Sequence, residues 1–208
     1  MIRYLSSSEI LWTENMAEDP YHHGDLRSAI LDAAEKLLLE KPIEVISMRE
    51  LARVAGVSPG APYHHFKDRS GLILALCQRG FQRLGERLNE GRDKDGLQGM
   101  IAGYISFSTD YPAIYRLMFS AEATLGDRKD ELHPYARPVA DLLFNQITMN
   151  NAKGMTRGQE LAGVSVWCFM HGLVTLGMAA PLKARLGDTS MQEFSEEVVG
   201  RLLGSSDP

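Results

Sequence analysis

Three groups of residues in this chain have types and spacings that invite a chemical reading. Gly56-Val-Ser58-Pro-Gly60 matches the G-x-S-x-G pattern of a serine nucleophile. That chemistry needs the serine on a sharp strand-to-helix turn beside an oxyanion hole. Here the preceding residues read as a helix, so the match is a coincidence and no enzyme activity is expected. The second group is two adjacent histidine pairs, His22-His23 and His64-His65. Neighbours on a helix diverge by about 100°, whereas a helical metal site places its histidines four apart on one face. No metal site and no cofactor is expected. The third is Cys77 and Cys168, far apart within apolar helical patterns. They read as two buried, reduced thiols of a cytoplasmic protein. What remains is non-covalent chemistry, which depends on the elements that present it.

Those elements read as helices throughout, giving an all-α fold. Apolar residues Leu26, Ile30, Ala33, Ala34, Leu37 and Leu38 follow the three-four spacing of one helix face over 26–39, with Asp25 as N-cap and Pro42 just beyond. Ser47-Met-Arg-Glu50 matches a capping box, in which Glu50 reaches back to the cap. The short helix it opens ends near Gly56. Ser58-Pro59 starts the next, over 58–66. Asp68 starts another, carrying Leu72, Leu76, Phe81, Leu84 and Leu88, and a Gly- and charge-rich gap over 91–96 ends it. Further helices are expected over 97–109, from Pro112 through Met118, over 134–149, over 158–180 (apolar nearly all round) and over 191–203. That makes nine. Residues 1–20 read as an N-terminal extension, or as upstream sequence if the natural start is Met16. No stretch is apolar enough to span a membrane.

Charge gives no global hint of a partner. The net charge is −5, and between Pro20 and Ser70 seven basic residues face seven acidic ones. Any nucleic-acid interface must therefore come from where the charges point.

The pair of short helices around Gly56 reads as a helix-turn-helix, with Leu51, Ala55 and Val57 between them and small Ala52 at the crossing. The wider string ARVAGVSPGAPYHHFKDRSGLI resembles the tetracycline-repressor (TetR) family of regulators. Ala52, Ala55, Gly56, Val57, Ser58, Gly60, Tyr63, His65, Phe66 and Leu72 fit the family's pattern at matching spacing. Pro62 departs from it, standing where Leu or Ile is usual. It is expected to remove an apolar seat and stiffen the helix start. Trp167-Cys-Phe-Met-His171-Gly172 resembles the W-x-x-x-H-G signature of one subgroup of regulatory domains.

The resemblance implies a DNA-binding unit over 21–70, a ligand-sensing and dimerisation unit over 71–208, and a homodimer that represses transcription from a palindromic operator. Helix 58–66 would enter the major groove, touching bases with Pro59, Gly60, Ala61 and His64. Tyr63, His65 and Lys67 would lie near phosphates, with Ser47, Arg49, Arg27 and Arg69 adding contacts. Helices 158–180 and 191–203 would form the dimer bundle, with Gly163 and Gly172 permitting close approach. A small, largely apolar effector would sit among Met100, Tyr104, Phe107, Met118, Phe119, Trp167, Met170 and His171. The rival reading is a protein–protein adaptor that kept the fold but lost DNA binding.

Overall fold

The computed structural model describes residues 23–147, 156–177, 184–185 and 187–204, and among these every regular element is helical. Helix α1 spans His23–Glu40. It begins before residue 26, so Asp25 lies inside its first turn and is not the cap. Ile30, Ala33, Ala34, Leu37 and Leu38 form its buried stripe. After a single turn at Ile43–Val45, α2 spans Met48–Ala55. Ser47 caps it by accepting the Glu50 amide at 3.1 Å. The Glu50 carboxylate does not complete the expected capping box, because Lys41 takes it. Gly56 closes α2 at φ 70, a left-handed conformation that costs an L side chain free energy.

Helix α3 is shorter than the sequence suggests: it spans Ala61–Phe66, and Ser58-Pro59-Gly60 form a turn ahead of it. Pro62 explains the late start. It has no amide to give the Ser58 carbonyl, so the Ala61 amide takes that carbonyl at 3.0 Å, three residues back. Four-back bonding is in place where the His64 amide reaches the Gly60 carbonyl, also at 3.0 Å. Pro62 does not vacate the apolar seat, however. Its ring is buried together with Phe66.

Helix α4 spans Arg69–Asp110 and is capped by Asp68, which accepts the Gly71 amide at 2.7 Å. Its ladder breaks at Asp95 and Gly96, where Gly96 takes φ 53. The sequence places a loop over 91–96, yet the first limb stays helical up to this break. The two limbs then fold back on each other. A Cβ on Gly91 would lie 2.1 Å from the Gly99 carbonyl oxygen, and one on Gly99 would lie 1.9 Å from that of Gly91. A Cβ on Gly103 would likewise meet the Arg87 oxygen at 2.6 Å. Partners equidistant from residue 95 mean antiparallel limbs in backbone contact. The hydrogen each glycine carries in place of Cβ points at the opposite carbonyl, a reciprocal Cα–H···O pair. With the two limbs counted separately, each helix that the sequence places has a counterpart among the described residues.

Helices α5 (Pro112–Leu125), α6 (His133–Ile147), α7 (Arg157–Gly177) and α8 (Met191–Gly204) follow, with a tighter helical stretch at Gly126–Leu132 between α5 and α6. Helix α5 starts at Pro112 as expected and includes Ile114, Leu117 and Met118. Residues 148–149 and 178–180, expected at helix ends, lie outside the described residues, as does the 1–20 extension. Helix α4 packs on α5 and α6, and α7 on α6 and α8. One apolar core runs from Ile30 to Val199 through Leu51, Phe66, Leu84, Phe107 and Val166. The dimer expectation needs one change. Gly163 faces inward, where a Cβ would meet the Phe144 ring at 2.7 Å, whereas Gly172 has open space. The cysteines differ too. Cys77 is buried and burial pushes its thiol up to about 12, but Cys168 is exposed, because α7 turns that position away from the core.

Candidate nucleic-acid interface and regulatory groove

The six residues of α3 divide cleanly between two faces. Pro62 and Phe66, four apart, point into the core. Tyr63 is 50% exposed, and His64, Pro59 and Gly60 are exposed with it. Ala61 and His65 are half-buried, and the His65 ring lies edge-on to His64 at 5.4 Å. Ser58 sits between two helices, with no strand leading into it, so the elbow of a nucleophile is not formed.

Lys67 closes α3 in an unusual way. It is the one non-glycine residue at positive φ among those described, with φ 64 and ψ −57. The Asp68 amide reaches back to the Phe66 carbonyl at 2.8 Å, completing a γ-turn. Such a conformation costs about 1–3 kcal/mol and persists only where its surroundings enforce it. Here the Tyr63 carbonyl holds the Lys67 amide at 2.8 Å, and Asp68 is fixed as the α4 cap. The exposed Lys67 side chain is thereby set at the end of α3.

Tertiary pairing also resolves the zero charge sum of this unit. Asp32 and Glu35 are taken by Arg79 of α4, and Glu35 also by Arg83, at the α1–α4 contact. Glu50 is taken by Lys41, which holds its carboxyl below the usual range. Asp68 faces Arg128 at 3.6 Å. No salt bridge among the described residues holds Arg49 or Lys67, and both are exposed. Exposed Arg27 has its guanidinium 5.3 Å from the Phe66 ring centre. Exposed Ser47 is the α2 cap. Arg69 differs from these, because its guanidinium donates to the Glu44 and Ile46 carbonyls at 2.6 and 3.0 Å. It ties the start of α4 to the turn before α2, a positioning role the sequence does not reveal.

In the C-terminal half, a groove of about 460 Å³ opens between α4, α5, α6 and α7. Of the eight residues expected to surround an effector, Met118, Phe119 and Trp167 line it. Met100, Phe107 and Met170 are core residues, 1%, 0% and 3% exposed. Tyr104 is buried, and His171 is half-buried against Phe119, with ring centres 4.5 Å apart. Phe81 and Leu132 also line the groove, as do Lys129, His133 and Arg137. Sequence reasoning misses these three residues, because Lys129 lies in the tighter stretch before α6 and only His133 and Arg137 share the helical spacing of four.

Comparison with known proteins follows the same division of the chain. The model of the bacterial regulatory proteins of the tetR family matches residues 30–76, and a tetracyclin repressor-like C-terminal domain matches residues 97–202. The chain belongs to the tetR family. The HTH-type transcriptional repressor AcnR of Corynebacterium efficiens is 33% identical over 75 residues, which cover 36% of this chain and 40% of that repressor. The match thus spans about two fifths of that relative's length. A protein of unknown function from Rhodococcus sp. RHA1 superimposes with a TM-score of 0.73 at 26% identity, over 90% of this chain and 98% of that one. The tetR-family transcriptional regulator PfmR from Thermus thermophilus shares the fold, with a TM-score of 0.63 at 19% identity over 84% and 97% of the two chains.

Within this tetR-family fold, one polar chain crosses the core of the C-terminal half. The Tyr104 and Tyr115 hydroxyls are 2.9 Å apart, and the Tyr115 hydroxyl lies 2.7 Å from His171 Nδ1. Tyr115, only 2% exposed, is the link the sequence does not single out. It joins the second limb of α4 to α7 through α5. Burial raises both tyrosines and lowers His171. Tyr115→Phe will leave a buried hydroxyl and a ring nitrogen without partners. It should cost about 2 kcal/mol, read as a lower denaturant midpoint at unchanged slope. His171 adds a pH dependence. Its folded pKa lies below the ordinary 6.5, so the unfolded chain binds that proton more readily. The contribution to stability is complete above pH 6.5 and is lost as the pH falls through the folded value. His171→Gln will flatten this acid limb of the stability–pH curve, and a limb unchanged by the substitution would remove His171 as its source.

Proposed function

We propose that this chain is a cytoplasmic transcriptional regulator, a repressor, that binds a roughly palindromic operator as a homodimer and releases it when a small molecule occupies the groove. The observation that carries the reading is α3. Its inward face is filled by Pro62 and Phe66, and its outward face offers Tyr63 and His64 between exposed Pro59-Gly60 and exposed Lys67. Four of the seven acids of the same unit, Asp32, Glu35, Glu50 and Asp68, are held by other side chains. Pro59, Gly60 and Ala61 are small, so base reading there favours thymine methyls and close backbone approach over bidentate hydrogen bonds. Tyr63, His65, Lys67, Arg49, Ser47 and Arg27 take phosphate roles, while Arg69 acts through the turn it holds.

One such helix reads only a few base pairs. Two copies about 34–36 Å apart match successive major grooves. Helix α7 offers the surface for pairing. Leu161 and Val164 are 52% and 50% exposed, Leu176 is 60% exposed, and Cys168 and Gly172 fall on the same three-four spacing. Together with α8 this forms half of a four-helix bundle. Leu161→Glu with Val164→Glu will convert the dimer to a monomer of 23.1 kDa in light scattering and will raise the reactivity of Cys168 toward thiol reagents.

The test of function is fluorescence anisotropy with DNA flanking the protein's own gene, across a salt series. One dimer bound per site, weakening steeply with salt, supports the regulator. Binding no better than to random DNA, from every flanking segment, counts against it and favours the adaptor reading.

A further inference from the structure

The charged residues that line the groove, Lys129 and Arg137, carry one sign. His133 lies between them on the wall, and no Asp or Glu lines it among the described residues. The bias runs against a net charge of −5. His133 and Arg137 share one face of the first turns of α6, and the tighter stretch before it brings Lys129 to the same wall. All three are exposed, whereas Phe81, Met118 and Leu132 are 5%, 2% and 5% exposed. The groove thus has an apolar floor and a basic rim.

We infer that the groove takes an amphipathic anion, a carboxylate whose apolar body lies on Phe81, Met118, Phe119 and Trp167 while its charge meets Lys129 and Arg137. This rests on the proposed effector role of the groove and adds the chemical class of the effector. The size fits a small molecule, since 460 Å³ corresponds to about fifteen waters at liquid density. The rim is open to a ligand. Arg137 faces Asp141 at 3.6 Å and His133 faces Asp130 at 3.8 Å. Both are exposed contacts within one turn, of a kind that contributes little and yields readily to a better partner. Lys129 is in no salt bridge among the described residues. An anion entering against the apolar floor is partly desolvated, which strengthens its attraction to the rim. A cation of the same shape meets repulsion there instead.

The test uses 4-phenylbutanoate and its neutral counterpart 4-phenylbutan-1-ol, titrated into the full chain by calorimetry. Trp167 fluorescence in a Trp12→Phe background locates the binding. The carboxylate is expected to bind about tenfold more tightly than the alcohol and to change Trp167 emission. Lys129→Ala with Arg137→Ala should erase that preference while leaving the affinity for the alcohol unchanged. Ala140→Trp, which fills the groove, should abolish binding of both. Equal affinities in the unsubstituted protein, or a preference that survives loss of both cations, would overturn the anion assignment and leave the groove as a neutral effector site. If neither probe binds, both the assignment and the effector reading fall. If the carboxylate binds as expected but does not release DNA, the assignment stands and the regulatory reading falls.

Discussion

Gly99→Ala will destabilise the protein by about 3 kcal/mol, the upper part of the range for adding a methyl to a packed interior. The added carbon would lie 1.9 Å from the Gly91 carbonyl oxygen, and the obstacle is backbone on both sides. A crowded side chain can change rotamer, but two helical backbones can only move apart. Separating the limbs of α4 would also disturb Leu88, Met100 and Ile101, all buried within 2% exposure near the crossing. For a chain of this length the loss corresponds to roughly 6–12 °C in melting temperature. Gly85→Ala is the matched control. Its new methyl would meet only Val139, at an ordinary 3.5 Å, so helix propensity should make it neutral or up to about 1 kcal/mol more stable. Thermal melts that place both variants together would show that the crossing is looser than these distances require.

The second large effect is on DNA. Tyr63→Ala combined with Lys67→Ala should weaken operator binding about 100-fold. That is the loss of roughly 3 kcal/mol, shared between a hydroxyl and a cationic contact to phosphates. The salt dependence should become shallower by about one unit per Lys67 removed. The fold should be unaffected, which keeps the result clean. Tyr63 is half exposed, and alanine meets much the same penalty at φ 64 as lysine does. Circular dichroism and light scattering of the double variant verify this. Weak binding that persists unchanged would strip the helix-turn-helix of its function and bring the adaptor reading forward.

Much of this fold is legible in the residues themselves, and the misreadings share one physical cause. The α2 cap follows from Ser47 and the α4 cap from Asp68, whereas the burial of Pro62 beside Phe66 runs against the expected loss of that seat. The two caps are local features. The glycines at 91 and 96 read as a loop because glycine is a poor helix former, and Gly99 reads as an ordinary position of the next helix. Their actual use, letting a helix lie against its own continuation, depends on partners eight and sixteen residues away. Which aromatic and methionine residues line the groove is equally hidden, because α7 is apolar on most sides and its periodicity selects no single face. The zero charge sum over 20–70 misleads for the same reason. Arg79 and Arg83, which neutralise Asp32 and Glu35, lie more than forty residues along the chain. Half of the rim is within reach of the sequence, since His133 and Arg137 keep the helical spacing of four, but the tight turn that brings Lys129 beside them is not.

The brevity of α3 has a consequence for how its amides exchange with solvent. An isolated helix needs about 12–15 residues to hold together in water. Helix α3, the proposed reader of DNA, has six, and Pro62 gives it no amide to use. Its shape comes from Phe66 and Pro62 remaining seated in the core shared with α1, α2 and α4. The amides of 63–67 therefore have no slow exchange of their own. They will exchange at the rate at which that core opens, so hydrogen exchange along α3 will report the seating of Phe66 and not the strength of the helix itself.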